Sequence, residues 1–531
     1  MANFLGKNKV LLFLLIILAI ATFFRLWQLS SIPPGLYPDV AIYGNDAIDS
    51  LRTYNFKVFY FENNGREGLF MWLLALSFYI FGISIWSLKF VPAIIGILTV
   101  LGLYLLTKEL FTQCNEERPH YIALLASFFL ATSFWHTNFS RLGFRAILLP
   151  FILVFSLYFL FRGFGTKKIR DFIFSGLIFG LGFYTYISFR MAVLILPFIL
   201  IPWWFIYKKE GLQKKFILHA LYFILFVFIV ALPIGIYFLQ NPHDFIGRAA
   251  PISIFAAENP IKEFGKSLIL HLGIFNFRGD SNWRHNFSGS PMLPWSLGIL
   301  FLIGIILSLK ECISLTKNKN WSLVTGYWLL FSWFFIMLLP GILTYEGIPH
   351  ALRIIGVIPV VYIFAGLGSW KVYQWFIRNT KYKKLLIAAS FLFLISMGVT
   401  EFDKYFSKWG QHPEVKNAFS ADYVEIGNFL NSLPAETQKY VIVNQPGVPV
   451  PWPNGIPVPA QTIMFIENAK FGSPQSTYLL PENLNQIKIN NREAVIVAMR
   501  YDESLFAKIQ QKFPQGEIQR KDEIWIYEIN F

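Results

Sequence analysis

Long apolar segments alternate with short polar loops over the first four hundred residues of this chain. Eleven of these segments, each about 16–24 residues long, have the length and composition that a membrane-spanning helix requires. They lie near residues 10–26, 87–107, 120–136, 146–161, 171–187, 191–207, 216–239, 292–309, 321–343, 351–369 and 384–399. The pattern therefore predicts a polytopic α-helical membrane protein.

The charges in the loops predict the orientation of these segments. Lys7 and Lys9 precede the first segment, and every even-numbered connection is basic, which places the N-terminus in the cytoplasm by the positive-inside rule. The basic residues of those connections are Lys108, Arg118, Arg162, Lys167, Lys168, Arg170, Lys208, Lys209, Lys214, Lys215, Lys310, Lys317, Lys319, Lys371, Arg378, Lys381, Lys383 and Lys384. A cleaved signal peptide is the alternative interpretation of the first segment, although no A-x-A cleavage site follows it.

One apolar segment, residues 68–82, is too short for a full span and would invert the later loops if it were one. We expect it to form a re-entrant or interfacial helix on the outer face. The outer face then carries a first loop (27–86), a long loop (240–291) and the chain beyond residue 400.

Beyond residue 400 the sequence becomes polar, and helix-like segments alternate with strand-like ones. Helices are predicted at 421–433 and 503–513, and strands at 439–444, 462–467, 494–499 and 523–529. The proline-rich stretch 445–459 is expected to be a loop. This alternation predicts a small extracytoplasmic α/β domain over 401–531, after a transmembrane domain over 1–400.

The composition excludes other classes of protein. The chain has 531 residues, of which 55% are hydrophobic and 57 are Phe, too apolar for a soluble protein of this length. The net charge of +15 resides in the short loops, so we expect no nucleic-acid partner. Cys114 and Cys312 have no CxxC spacing, and neither a disulfide framework nor a cysteine metal site is expected.

Acidic residues in the first loop are the first candidates for chemistry, because ionisable groups beside lipid are costly and usually functional. Asp39 follows Pro38 in a predicted loop and is a candidate base for an acceptor hydroxyl. Asp46 fits either a catalytic role or the N-cap of a helix over 47–54. Glu67 lies where the interfacial helix is expected to begin, and a helix-stabilising role is equally consistent with its position.

Four arginines lie on the face where the positive-inside rule does not expect them. Arg141, Arg145, Arg190 and Arg353 are at predicted outer ends of spans, and His350 is close to the last. The guanidinium group donates two hydrogen bonds at once to phosphate, which makes these residues candidates for a phosphate site. Snorkelling or pairing with acids is the alternative.

A polar patch in the long outer loop is a candidate for binding a sugar or an acceptor. Amide, carboxylate and aromatic groups together suit a sugar ring, and an ion is the weaker interpretation because no HExxH or DxD spacing is present. We therefore expect no metal. The patch contains Asp280, Asn282, Trp283, Arg284, His285 and Asn286.

The order of these features resembles the GT-C superfamily of membrane glycosyltransferases, in particular the family 39 type related to protein O-mannosyltransferases and aminoarabinose transferases. The local similarities lie at 38–47 (PDVAIYGNDA), 64–70 (NGREGLF), 279–286 (GDSNWRHN), 349–353 (PHALR), and 405–409 with 418–422. Together they cover most of residues 1–430. One departure is Val40, where many members have a second acid.

The resemblance implies a transferase that uses a polyprenyl-phosphate-linked sugar drawn from membrane lipid. Asp39 would activate an acceptor hydroxyl, basic outer-face residues would hold the phosphate, and no cofactor would be required. The acceptor, whether protein, lipid or glycan, is left open, and a prokaryotic plasma membrane is the expected location. A transporter or flippase of a lipid-linked glycan is the alternative, but no internal repeat of the transporter kind is present.

Overall fold

The helices of this protein include nine that are long and apolar enough to cross a membrane, within the residues that the structure describes. The computed structural model describes residues 7–112, 118–247, 250–318, 321–450, 455–490 and 492–529. Cys114, Lys319 and part of the proline-rich stretch lie outside these residues. Cys312 is a free, partly buried thiol.

Helices account for most of the described residues. In chain order they are α1 (Lys7–Leu26), α2 (Pro38–Thr53), α3 (Leu69–Phe81), α4 (Ile85–Leu110), α5 (Arg118–Thr132), α6 (Phe134–Phe139), α7 (Leu148–Thr166), α8 (Ile169–Leu181), α9 (Leu196–Lys209), α10 (Gln213–Gln240), α11 (Pro242–Ile246), α12 (Pro260–Gly273), α13 (Trp295–Lys317), α14 (Trp321–Ile342), α15 (Ile358–Asn379), α16 (Lys383–Phe402), α17 (Pro413–Ala418), α18 (Ala421–Ser432), α19 (Gln461–Phe471) and α20 (Glu503–Lys512).

The nine spanning candidates contain α1, α4, α7, α9, α10, α13, α14, α15 and α16. The two other predicted spans fall on α5 and α8, which have 15 and 13 residues. Ser133 ends the first and caps α6, and a 3-10 turn over Gly182–Tyr184 follows the second. Irregular backbone of this kind is tolerated at membrane depth where it is buried in protein. The prediction of a multi-pass helical membrane protein is confirmed.

The chain divides into two compact units. The helical unit contains Met1–Trp27 and Pro92–Trp409, and the sheet unit contains Gln28–Val91 and Gly410–Phe531. The first-loop segment thus belongs to the same unit as the C-terminal sheet. Composition does not reveal this grouping, because the grouping depends on contacts between segments more than three hundred residues apart in the chain.

The sheet unit is built around a five-stranded mixed sheet. Its strand order is β4-β3-β5-β7-β6, with β3, β4 and β5 parallel and β7 antiparallel to both of its neighbours. A separate two-stranded ladder lies in the first-loop segment. The strands are β1 (Phe59–Tyr60), β2 (Arg66–Glu67), β3 (Gln438–Ile442), β4 (Thr477–Leu479), β5 (Ala494–Ala498), β6 (Glu517–Lys521) and β7 (Ile524–Ile529).

Apolar side chains alternate between the two faces of this sheet, as the two-residue period of a strand requires. Val441 and Val495 pack on one face with residues of α18 and α19. Tyr440 and Ile496 pack on the other face with residues of α20. The sheet is therefore covered on both faces, and the predicted C-terminal α/β region is confirmed.

One predicted strand is wrong. Residues 462–467 lie inside α19, which is buried on nearly every side from Gln461 to Asn468. A helix that is buried all round has no polar face, so its sequence cannot be distinguished by periodicity from a buried strand. The β-branched residues Thr462 and Ile463 strengthened the wrong interpretation.

Candidate active site

The first-loop carboxylate Asp39 lies in the first turn of α2 and not in a loop as the sequence suggested. Pro38 begins this helix, because a proline lacks the N–H that would be unpaired there and its fixed φ angle is already helical. The partly buried carboxylate accepts one hydrogen bond, from Asn63 Nδ2 to Asp39 Oδ1 at 2.8 Å. Its other acceptor positions have no hydrogen-bond donor among the described residues.

Asn63 is held in place by an unusual turn. Asn63, Asn64 and Gly65 have φ angles of 48°, 63° and 81°, a left-handed run that Asn and Gly tolerate better than other residues. A Cβ on Gly65 would lie 2.5 Å from the ring of Phe59, so glycine is required there for space as well. The turn fixes the amide that contacts Asp39.

Asp46 lies in the middle of α2, so its predicted role as an N-cap is wrong. It forms an ion pair with Arg66, which is buried at 1% exposure and also pairs with Glu62 at 3.4 Å. The guanidinium lies 5.8 Å from the ring centroids of both Tyr43 and Tyr60. Burial raises the pKa of Asp46 to about 6, with Glu62 adding to the rise and Arg66 opposing it.

Glu67 belongs to strand β2, where it lies opposite Phe59, and it is buried at 3% exposure. Helix α3 begins two residues later, at Leu69. Glu67 is therefore close to the helix start that the sequence predicts, but it lies in the ladder and not in the first turn.

In the helical unit, Asp280 organises the loop between α12 and α13. Its Oδ1 accepts the backbone N–H of Asn282 at 2.8 Å, and its Oδ2 accepts the N–H of Ala351 at 2.8 Å. The Oδ2 atom also accepts a bond from Nδ1 of His285 at 2.9 Å. Asn286 donates to the Asp280 carbonyl at 3.2 Å. This buried carboxylate thus accepts three hydrogen bonds, from its own loop and from the segment between α14 and α15.

The remaining members of the predicted patch also build this loop. The side chain of Asn282 accepts the N–H of Arg284 at 3.0 Å, a short local bond typical of Asx turns. Asn138 on α6 donates to the Arg284 carbonyl at 2.9 Å. The structure therefore brings together the five polar residues of the patch, Asp280, Asn282, Arg284, His285 and Asn286.

His350 joins Asp280 and His285, although it lies 65 residues after His285 in the chain. The two imidazole ring centroids are 4.8 Å apart, and His350 Nδ1 lies 3.9 Å from Asp280 Oδ2. Burial lowers the pKa of His350 well below its usual value, and the nearby His285 and Arg353 lower it further. His350 is consequently neutral near pH 7, the form that accepts hydrogen bonds or binds a metal.

These three side chains are the group best suited to a divalent cation in the part of the chain that the structure describes. One ligand atom from each lies within 4.8 Å of the others. The bond from His285 Nδ1 to Asp280 leaves His285 Nε2 for a ligand, an arrangement common in carboxylate-oriented metal histidines. No HExxH or DxD spacing could have revealed it, because the members are distant in sequence.

Arg141 is fully buried, and its guanidinium donates to main-chain oxygens at the end of α1. NH1 donates to the carbonyl of Phe24 at 3.0 Å and NH2 to that of Trp27 at 2.8 Å. The same group packs over the rings of Tyr405 and Phe406, at 5.6 and 5.1 Å. The last carbonyls of a helix lack intrahelical partners, and a cation satisfies them well.

Arg25, which the sequence analysis missed, does the same for the end of α5. It donates to the carbonyls of Leu130 and Ala131 at 3.2 and 2.9 Å, and to Nδ1 of His136 at 2.8 Å. The two arginines satisfy the C-terminal carbonyls of two neighbouring helices. An arginine within an apolar span is the sequence signal that could have identified Arg25.

The other three arginines occupy different settings. Arg145 is buried and lies over the ring of Tyr186 at 5.6 Å. Partly buried Arg190 lies over the ring of Phe245 at 4.1 Å and donates to the carbonyl of the same residue. Arg353 donates to Thr344 Oγ1 at 2.8 Å and to a neighbouring carbonyl. Phosphate binding by any of the four stays a prediction.

This chain is similar to a known protein family and to several solved structures. Residues 69–237 match the family model described as dolichyl-phosphate-mannose-protein mannosyltransferase. ArnT from Cupriavidus metallidurans bound to undecaprenyl phosphate is similar with a TM-score of 0.56 and 13% identity, over 99% of this chain and 98% of the ArnT chain. This chain has an ArnT-like fold of the GT-C type. The resemblance inferred from the motifs is thereby confirmed.

Two further structures share this GT-C fold. ArnT from Cupriavidus metallidurans in the apo state has a TM-score of 0.55 and 12% identity, over 98% of both chains. The Archaeoglobus fulgidus oligosaccharyltransferase in the apo form has a TM-score of 0.50 and 14% identity, over 87% of this chain and 64% of its own. No curated protein matches this chain by sequence.

The family match covers α3 to α10 of this chain. It includes three of the predicted phosphate-binding arginines, at positions 141, 145 and 190. Asp39 lies before the matched region, and the Asp280 loop lies after it. The roles of those residues therefore depend on their geometry in this structure.

Proposed function

We propose that this protein is a membrane glycosyltransferase that moves a sugar from a polyprenyl-phosphate-linked donor to an acceptor hydroxyl, with Asp39 as the general base. The observation that carries the proposal is the state of the Asp39 carboxylate. The carboxylate lies in the first turn of α2 and accepts one hydrogen bond, from the side-chain amide of Asn63. Its remaining acceptor positions have no donor among the described residues. A base must have such a free position to receive a proton.

The reaction balances around that carboxylate. Asp39 takes the proton of the acceptor hydroxyl as its oxygen attacks the anomeric carbon of the donor sugar. The bond from that carbon to the phosphate oxygen breaks, and polyprenyl phosphate leaves. A single displacement of this kind inverts the configuration at the anomeric carbon.

The two other acidic candidates are less suited to the role of base. Asp46 is paired with buried Arg66, and Glu67 is buried within the β1–β2 ladder. Val40, where a second acid occurs in many relatives, is an apolar core residue of α2. A mechanism that depends on one acid therefore fits this chain better than one that depends on a pair.

The fold supports a lipid-linked donor. One similar structure, that of ArnT, was determined with undecaprenyl phosphate bound. In this chain, Arg353 is the arginine that we assign first to the leaving phosphate, because it is partly exposed and three residues from His350. Arg145 and Arg190 are the next candidates. Arg141 is the last, since its guanidinium already satisfies two carbonyls.

The cluster of Asp280, His285 and His350 has a supporting role in this proposal. An imidazole oriented by a carboxylate, here His285, and the neutral imidazole of His350 beside it are suited to hydrogen-bond a sugar or to hold a divalent cation. A bound cation would supply positive charge beside a phosphate. The proposed displacement itself requires only the acid and the two substrates.

The experiment is a donor panel. The purified protein is incubated with several polyprenyl-phosphate sugars and a membrane extract as the source of acceptors, and released polyprenyl phosphate is measured. We expect acceptor-dependent release with one sugar, and none from Asp39→Asn. Donor binding without release across the panel, together with movement of the intact donor across a vesicle membrane, would instead establish the transporter.

A further inference from the structure

The helix that carries Asp39 is held by a buried hydrogen-bonded amide network from the C-terminal part of the same unit. Asn45 on α2 is 6% exposed, and its Nδ2 donates to the carbonyl oxygen of Gln461 at 3.1 Å and to its Oε1 at 2.8 Å. Asn45 Oδ1 accepts a bond from Nδ2 of Asn468 at 2.9 Å. Gln461 and Asn468, at the two ends of α19, are 1% and 2% exposed.

Two further contacts between α19 and the region around α2 reinforce this network. Thr462 Oγ1 donates to the carbonyl of Leu36, two residues before α2 begins, at 2.9 Å. Gly44 lies directly against Phe465, since a Cβ on the glycine would be 2.6 Å from that ring. The helices α2 and α19 thus approach closely along their length.

The segment that leads into α2 is also fixed. Lys89 is 2% exposed, and its Nζ donates to the carbonyl of Pro33 at 2.9 Å and to that of Gly35 at 3.4 Å. Gly35 has a φ of +80°, and a Cβ there would lie 2.4 Å from the carbonyl oxygen of Phe419. No other residue type fits this position without moving the chain.

Buried amides do more than apolar contacts to define one arrangement, because each hydrogen bond requires a particular distance and direction. Asn45 follows Asp39 by six residues, so their side chains project about 120° apart around α2. A network that fixes the Asn45 face against α19 therefore also fixes the direction in which Asp39 projects.

We infer that α19 positions the catalytic base: Asn45, Gln461 and Asn468 are positioning residues that act through Asp39. The C-terminal sheet unit is then part of the machinery of transfer, whatever its role toward the acceptor. The inference rests on the proposed role of Asp39. Displacement of a reacting group by about 1 Å can lower a rate about 100-fold, so a displaced α2 affects kcat more than donor binding.

The first test compares two variants of the network. Asn45→Leu leaves Gln461 and Asn468 without their partner, and we expect lower thermal stability with kcat reduced by at least about tenfold and an unchanged KM for the donor. The triple variant Asn45→Leu/Gln461→Leu/Asn468→Leu removes every member, so stability should recover. If α19 positions the base, kcat stays low in the triple variant. Recovery of kcat together with stability would overturn the inference.

Asn431→Leu is the matched control. Asn431 is another buried amide that packs against α19, donating from its Nδ2 to the Ile466 carbonyl at 2.9 Å, but it comes from α18 and not from α2. We expect this substitution to lower the melting temperature and to leave kcat unchanged. A fall in kcat as large as that of Asn45→Leu would mean that any loss of stability in this unit affects the rate.

A second pair keeps the inference testable if the network variants fail to fold. Gly44→Ala pushes α2 from Phe465, and we expect a lower kcat at constant donor KM. Phe465→Leu in the same chain removes the obstructing ring atoms and should restore kcat. Asp39→Asn is assayed in parallel. An active Asp39→Asn would refute the proposed base, whereas an inactive Asp39→Asn with a fully active Gly44→Ala would refute only the positioning role.

Discussion

Asp39 and Asp280 are both held by neighbouring polar groups, but the two carboxylates are held in opposite ways. Asp39, in the sheet unit, accepts one hydrogen bond from an amide side chain. Asp280, in the helical unit, accepts two backbone N–H groups and one imidazole N–H. Among the described residues, the first carboxylate accepts one hydrogen bond and the second accepts three.

A buried or partly buried acid can have either of two functions, a structural one or a catalytic one. A carboxylate that accepts three hydrogen bonds from buried groups stabilises a loop and orients a histidine, because its loss would leave those donors unpaired. An acid with one fixed oxygen and open positions can exchange a proton with a substrate. Substitution should therefore affect stability at Asp280 and the rate of transfer at Asp39.

The largest effect on folding is expected from Asp280→Asn. The amide leaves a buried N–H group or an imidazole without its acceptor, and we expect a loss of about 3–5 kcal/mol in the free energy of unfolding. Thermal unfolding in detergent measures it. Asp49→Asn, at an exposed acid of α2, is the control and should change stability by less than about 0.5 kcal/mol. If Asp280→Asn were as stable as the Asp49→Asn control, Asp280 would have no special structural role. The distinction drawn here between Asp280 and Asp39 would then be wrong.

Asp46 predicts a pH dependence of stability. Its folded pKa of about 6 exceeds the ordinary value of 3.8, so the folded state keeps a proton that the unfolded state loses between those values. The contribution of Asp46 to the free energy of unfolding is fully present below about pH 4. It falls by up to about 3 kcal/mol as the pH rises through 6. Melting temperatures across that range should show the fall in wild type and a flatter profile in Asp46→Asn. The same slope in both proteins would contradict the assignment.

The smallest effect is expected at the Asn63 turn. Asn63→Gly keeps the left-handed backbone but removes the amide that fixes Asp39, and we expect kcat to fall about five- to tenfold, equivalent to about 1 kcal/mol. Asn64→Gly, at the adjacent left-handed residue, keeps that amide and should have wild-type kcat. Steady-state kinetics of the two variants measure both kcat values. An equal fall in kcat in both would indicate that the conformation of the turn, and not the Asn63 amide, is responsible.

The apolar pattern predicted most of the fold, because spans are defined by length and hydrophobicity alone. It failed at α19, whose all-round burial hides its period, and at the start of α2, where Pro38 suggested a loop although proline is favoured in a first helical turn. It also could not show that α2 belongs with α19, since nothing local in Asn45 indicates a partner more than four hundred residues away.

The sequence identified several residues of the candidate site, but it did not predict which groups they contact. The 279–286 patch indicated Asp280 and His285, but their association with His350 depends on how the helices pack. Arg141 drew attention because a cation was unexpected on that face, and the structure shows helix-end carbonyls as its partners. Sequence alone cannot distinguish a buried cap from an exposed phosphate ligand.

The central claim is that Asp39 takes the proton of the acceptor. The most direct measurement is the single-turnover rate of polyprenyl phosphate release by wild type, Asp39→Asn and Asp49→Asn, each saturated with donor and acceptor. We predict a rate at least about 1000-fold lower for Asp39→Asn, with melting temperature and donor affinity unchanged, and a wild-type rate for Asp49→Asn. Release by Asp39→Asn at the wild-type rate would contradict the account and direct attention to Asp46 or Glu67.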